Sequence, residues 1–124
     1  MSFRYHIDPD AGMLHVVGEG PVTQAERLET MRSWLGHPDF RPDLDTLCDF
    51  SRATSPPSLA ELREIVALIN RHAAAVGNKK LAMIATTPMA FGAARQFQAL
   101  AESGPITVHV FTDREAALTW LRPD

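Results

Sequence analysis

The chain has a single cysteine, Cys48, among its 124 residues, so an internal disulfide cannot form and a disulfide-stapled scaffold is excluded. No apolar run approaches the roughly 20 residues that cross a bilayer, so no membrane span is expected. The opening Met-Ser-Phe-Arg-Tyr-His also lacks the apolar centre of a signal peptide, which makes a cytoplasmic location the expectation. Positive charge is not in excess: a net charge of −3 gives no electrostatic footprint for nucleic acid. The one adjacent lysine pair, Lys79-Lys80, reads as a solvated strand edge. A Gly-rich phosphate loop, a nucleophile elbow and an ordered Ser-His-Asp set are all missing, and no acid and base pair up. The expected catalytic residues, metal ligands and cofactors are therefore none.

What is present suits one soluble α/β domain. Apolar residues make up 45% of the chain and charged ones 22%, enough for a packed core under a polar surface. Phe3, Tyr5 and Ile7 alternate with Arg4, His6 and Asp8, and after Pro9-Asp10-Ala11-Gly12 the alternation resumes at Leu14 and Val16. This predicts a hairpin in which Tyr5 faces Val16 and His6 faces His15. Thr23-Gln24-Ala25-Glu26 is a capping box, and Ala25, Leu28, Met31 and Leu35 form the expected inward stripe of its helix, flanked by Trp34. A buried strand follows at about Thr46–Phe50.

A second capping box, Ser58-Leu59-Ala60-Glu61, opens a helix whose inward residues are Leu59, Leu62, Ile65, Val66, Ile69, Ala73 and Val76, closed by Gly77. The nearly continuous apolar run Leu81–Ala85 suits a central strand. Thr87-Pro88 starts another helix, Ile106, Val108 and Val110 mark an edge strand, and Asp113 caps a last helix bearing Ala117, Leu118 and Leu121. The order ββαβαβαβα implies a mixed, mostly parallel sheet that begins with an antiparallel hairpin.

Several segments carry a family likeness: the Phe-Arg-Tyr-His-Ile-Asp-Pro-Asp opening, His37–Pro42, the strand end Cys48-Asp49-Phe50-Ser51, Ala90–Phe97, and Val110–Leu121. On these the chain resembles STAS-like domains of the anti-sigma-factor antagonist type, and small uncharacterised bacterial proteins of STAS/CRAL-TRIO-like type. The resemblance implies a STAS-like fold over residues 1–124. It also implies a phosphoacceptor at Ser58, although the Asp-Ser-Ser-Gly pattern of true antagonists is replaced here by Pro57-Ser58-Leu59-Ala60.

Two candidate sites follow. Open α/β sheets bind ligands beyond the carboxyl ends of their strands. Asp49, Ser51, Thr54 and Ser55 occupy that position, and Arg95 on a later helix is expected to join them around a small anion or polar head group. The second candidate is an apolar surplus, Trp34, Phe40, Met83, Met89, Phe91 and Phe97, able to line a pocket or a dimer seam. The reading favoured by the sequence is a non-catalytic regulatory module acting through protein contact. A carrier or sensor of a small apolar or amphipathic ligand is the alternative that the CRAL-TRIO likeness implies. A homodimer is expected through an under-covered sheet face carrying Met13, Val17 and Phe111 with His6, His15 and His109.

Overall fold

The alternation at the start of the chain closes into the hairpin that it predicts. Strand β1 (Ser2–Asp8) pairs antiparallel with β2 (Met13–Gly20), placing Tyr5 opposite Val16 and His6 opposite His15. The computed structural model describes residues 2–122, and its remaining elements are α1 (Gln24–Leu35), β3 (Asp45–Ala53), α2 (Leu59–Arg71), α3 (Ala73–Val76), β4 (Lys79–Ile84), α4 (Pro88–Leu100), β5 (Ile106–Phe111) and α5 (Arg114–Leu121). The five strands lie in the order β1-β2-β3-β4-β5, and every pair after the hairpin is parallel. Strands β1 and β5 are the edges.

This order decides where the helices go. Successive right-handed crossovers to an adjacent strand put their helices on one side of a sheet. Accordingly α1, α2 and α4 share one face, with a core built on Leu14, Val16, Cys48, Leu62, Val66, Leu81, Met83, Phe97 and Val108. Helix α5 follows the last strand and covers the other face, where Met13, Leu47, Ala82, Ile84, Ala117 and Leu121 form a smaller cluster. Of the residues expected to face inward after β3, Leu62, Val66, Val76, Leu81, Met83, Ile106, Val108, Ala117 and Leu121 are buried, whereas Ile65, Ile69, Val110 and Leu118 are half-buried.

Three local expectations are corrected. In α1 the buried residues are Arg27 and Met31, while Ala25 is exposed and Leu28 and Leu35 are half-buried. The period of 3.6 holds, but the stripe is rotated because Arg27 finds polar partners inside. The second helix is not continuous to Val76: it breaks at His72, whose ring lies 3.0 Å from the Leu68 carbonyl oxygen, and resumes as α3. Leu59, at its first turn, and Ala73 are exposed. Finally, the sheet face expected to expose Met13, Val17 and Phe111 with His6, His15 and His109 is closed only in part: Met13 is buried and Phe111 packs on Trp120 of α5, Val17 and His15 are half-buried, and His6 and His109 are exposed.

Gly77 fixes how α3 enters β4. Its φ of 70° and ψ of −175° suit glycine alone, and a Cβ there would meet the Asp43 carboxylate at 2.6 Å and Asp43 backbone N at 2.9 Å.

Candidate functional site

Helices α1 and α2 are joined at their amino ends. Gln24 Nε2 donates to the Glu61 carbonyl (3.0 Å) and to Glu64 Oε1 (2.9 Å), and Arg27 lies 3.7 Å from the Glu61 carboxylate. Beyond this polar clasp α1 packs on β1 while α2 packs on α4. The bodies of the two helices leave between them, over the sheet, a cavity of about 120 Å³. Its walls are overwhelmingly apolar: Met31 and Trp34 from α1, Leu62, Ile65 and Ile69 from α2, Phe97 from α4, and Val16, Cys48, Leu81 and Met83 from the sheet. At one end Phe3 and Phe50 stack with centroids 5.8 Å apart, beside Gly18, whose missing Cβ leaves room for the Phe50 ring.

Few polar groups reach this space, and most are committed. Arg27, 7% exposed, donates to the carbonyls of Val22 (3.1 Å) and Ser55 and to Gln24 Oε1 (3.2 Å). Burial lowers its pKa, with Glu61 and Glu26 acting in the opposite sense. Thr46 donates to the Leu44 carbonyl, and Ser55 Oγ accepts from Val22 N. The exception is Lys79, 8% exposed, whose ammonium stands 5.8 Å from the centre of the Phe40 ring. Burial pulls its pKa down to about 8. The same burial pushes the Cys48 thiol up to about 12, as befits a packed side chain rather than a nucleophile.

Reading Lys79-Lys80 as a solvated edge is therefore corrected. The strand begins two residues before the apolar run, so successive side chains point to opposite faces. Lys79 enters the cavity side, and Lys80 crosses to the other face, where its Nζ lies over the Trp120 ring and donates to the Trp120 carbonyl at 3.1 Å. Of the apolar candidates, Trp34, Met83 and Phe97 line the cavity. Phe40 sits beside it under Lys79, and Phe91 packs against the same core. Met89 does neither, being 72% exposed at the start of α4.

The polar candidates are divided by the sheet. Asp49 Oδ1 accepts from Ser51 N (3.0 Å) and Ser51 Oγ (2.6 Å), and its Oδ2 faces Arg114 of α5 at 3.5 Å, on the side that α5 covers. Ser55 and Arg27 belong to the cavity side. Thr54 is exposed, with its backbone N–H donated to Gly20. Arg95 is exposed on α4, and the guanidinium beside Asp49 is that of Arg114 instead. The segment 51–58 is only partly exposed: Ser55, Pro56 and Pro57 are half-buried, and Arg27 donates to the Ser55 carbonyl. Ser58 is exposed at the N-cap of α2, its hydroxyl accepting from Glu61 N at 3.2 Å in a complete capping box.

The histidines do not gather. His6 and His15 rings lie 6.2 Å apart on the hairpin, whereas His109 stacks on Trp120 at 4.4 Å. Burial, then the Arg114 charge, lower the His15 pKa. No group of three His, Cys, Asp or Glu among the described residues could hold a metal. No helix among them is long and apolar enough to cross a membrane.

No family model and no curated protein matches the chain. A solved structure does: an uncharacterised protein of the DUF3478 family from Shewanella loihica PV-4, described as having a SpoIIAA-like fold. The match covers 97% of this chain and 92% of that one, with a TM-score of 0.63 and 19% identity. At that identity the likeness is one of architecture: the chain is a single α/β domain of SpoIIAA-like, that is STAS-like, fold.

Proposed function

We propose that the protein is a non-catalytic binding module that takes one small apolar or amphipathic molecule between its sheet and α1, α2 and α4. The observation that carries this reading is the apolar cavity of about 120 Å³ between the sheet and the helices, with α1 and α2 hydrogen-bonded at their amino ends. An apolar void of roughly 150 Å³ stays dry and takes up a benzene-sized guest, so a six- to eight-carbon molecule is the matching scale. Trp34 in the wall supplies the readout. Titration with toluene and with 1-hexanol should change Trp34 fluorescence saturably and raise the melting temperature, because a ligand that binds only the folded state stabilises it. Met31→Trp, which fills the space, should abolish both effects. Absence of any response in the wild-type chain sinks the reading.

Regulation through protein contact is a second reading, and one observation favours it. The two large apolar side chains that stand exposed among the described residues, Leu59 and Met89, occupy the first turns of α2 and α4, beyond the carboxyl ends of the strands. A protein partner or a second copy of the chain docking there would bury both. Sedimentation at micromolar concentration separates the cases: dimerisation lost in Met89→Asp supports self-association, and a monomer at every concentration removes it. A phosphoryl switch at Ser58 gains no support, since that hydroxyl is engaged in capping α2.

A further inference from the structure

We infer that the cavity is built for an apolar carboxylate, a short aliphatic or aryl acid whose carboxylate pairs with Lys79 while its tail lies among Trp34, Ile69 and Leu81. This inference rests on the ligand-binding reading above and names the chemistry of the ligand. Lys79 lines the cavity and is almost wholly removed from solvent. Among the described residues, no hydrogen bond or ion pair reaches its ammonium, which lies against the face of Phe40 and keeps some accessible surface of its own. A buried charge is normally paired, because desolvating it costs several kcal/mol that an aromatic face offsets only in part. The chain retains this cation where Leu or Met would fill the strand position and strengthen the core.

The surroundings supply no substitute for the missing anion. The titratable groups acting on Lys79 are Cys48, a thiol that stays protonated, and Asp45, both from β3. Asp45 is engaged elsewhere: its Oδ2 lies 3.0 Å from Arg122 Nη1 and its Oδ1 accepts from Lys80 N at 3.0 Å. The neighbouring cavity wall is apolar, with Val76 from α3 and Ile106 from β5. The other buried cation, Arg27, already has its acceptors. An incoming carboxylate would thus meet one unpaired charge at the end of an apolar space, and the bound pair would be screened little by salt.

The test compares hexanoate with 1-hexanol, two probes of nearly equal apolar size, by calorimetric titration at pH 7. The wild-type chain should bind hexanoate at least tenfold more tightly than 1-hexanol. Lys79→Met should reverse that order while still binding 1-hexanol, with a melting curve showing that it remains folded. Since the free lysine titrates near pH 8, the hexanoate preference in the wild-type chain should fall about tenfold or more between pH 7 and pH 9.5, with 1-hexanol unaffected. This second measurement needs no variant. Equal binding of the two probes by the wild-type chain overturns the carboxylate assignment and leaves the cavity reading intact. Binding of neither overturns both, and a hexanoate preference that survives in Lys79→Met overturns the role given to Lys79.

Discussion

The two faces of the sheet are packed to different standards. On the α5 side, Ala82 and Ala117 are fully buried and meet Leu47 and Leu121, which are nearly so, and the rings of His109, Phe111 and Trp120 close the edge. On the side of α1, α2 and α4, three helices cover a larger area yet leave an apolar void with a charged group in its wall. Helix α5 packs tightly over β3 and β4 but leaves His6 and His109 exposed at the margins of its face, whereas the three-helix face is buried more completely and yet holds the cavity. Protein interiors normally reach crystal-like density. The cavity is a local departure from that density, whereas Ala82 and Ala117 sit fully buried where α5 meets the sheet.

Adding volume should expose this difference most strongly. Ala117→Leu, on the tight face, should cost about 3 kcal/mol in urea unfolding. Ala94→Leu, which projects toward the cavity, should cost about 1 kcal/mol or less. Equal costs would mean that the two faces are equally packed.

The pH dependence sharpens the comparison, because both strongly shifted groups lie on the looser face. Lys79 titrates near 8 when folded and at about 10.4 when unfolded, so the unfolded chain holds more protons between those values. Its contribution makes stability rise with pH from about 8 to 10.4, by a few kcal/mol at most. Cys48 acts in the opposite sense: folded near 12 and unfolded at about 8.5, it makes stability fall across that window. Lys79→Met should therefore remove the rising component and stabilise the protein at pH 7 by about 1–3 kcal/mol. Cys48→Ala should remove the falling one. Unfolding series at pH 7, 9 and 10.5 separate the two.

Smaller effects belong to the helix ends. Ser58→Ala should lower stability by about 1 kcal/mol through the lost cap, with hexanoate and 1-hexanol affinities unchanged. A loss of probe binding in that variant would tie the α2 start to the cavity more closely than the hydrogen bonds indicate. Met89→Asp, at an exposed site, should alter stability by no more than about 0.5 kcal/mol in a chain that is monomeric.

Much of the architecture was legible because local signals agreed. The turn Pro9–Gly12 set the hairpin register, and both capping boxes stand where Thr23 and Ser58 announced them. The site was less legible, and its two cations show why. Arg27 holds the buried position of α1, but a stripe sought among apolar residues was placed one residue away, at Leu28. Only its later partners, the carbonyls of Val22 and Ser55, make a buried guanidinium tolerable, and those are tertiary. Lys79 looked like a solvated edge because β4 was expected to begin at Leu81; a strand two residues longer turns one lysine inward. Asp49, Ser51, Thr54 and Ser55 are close along the chain, yet alternation along β3 and the path of the following loop distribute them over both sides, and Arg95 stays exposed on α4.

Arg122 has a consequence for the order in which the domain assembles. Every strand pairs with its neighbour in sequence, so the sheet can grow by adding one strand at a time. The last helix is different: Arg122, just beyond α5, reaches back to Asp45 and to the carbonyls of Ala11 and Gly12 in the first turn. Loop closure of that length is entropically costly and is offset only once the sheet is in place. Docking of α5 is accordingly expected to close the folding sequence, and its undocking to be the first sub-global opening. Amide exchange should fade earliest in α5 and last in β3 and β4.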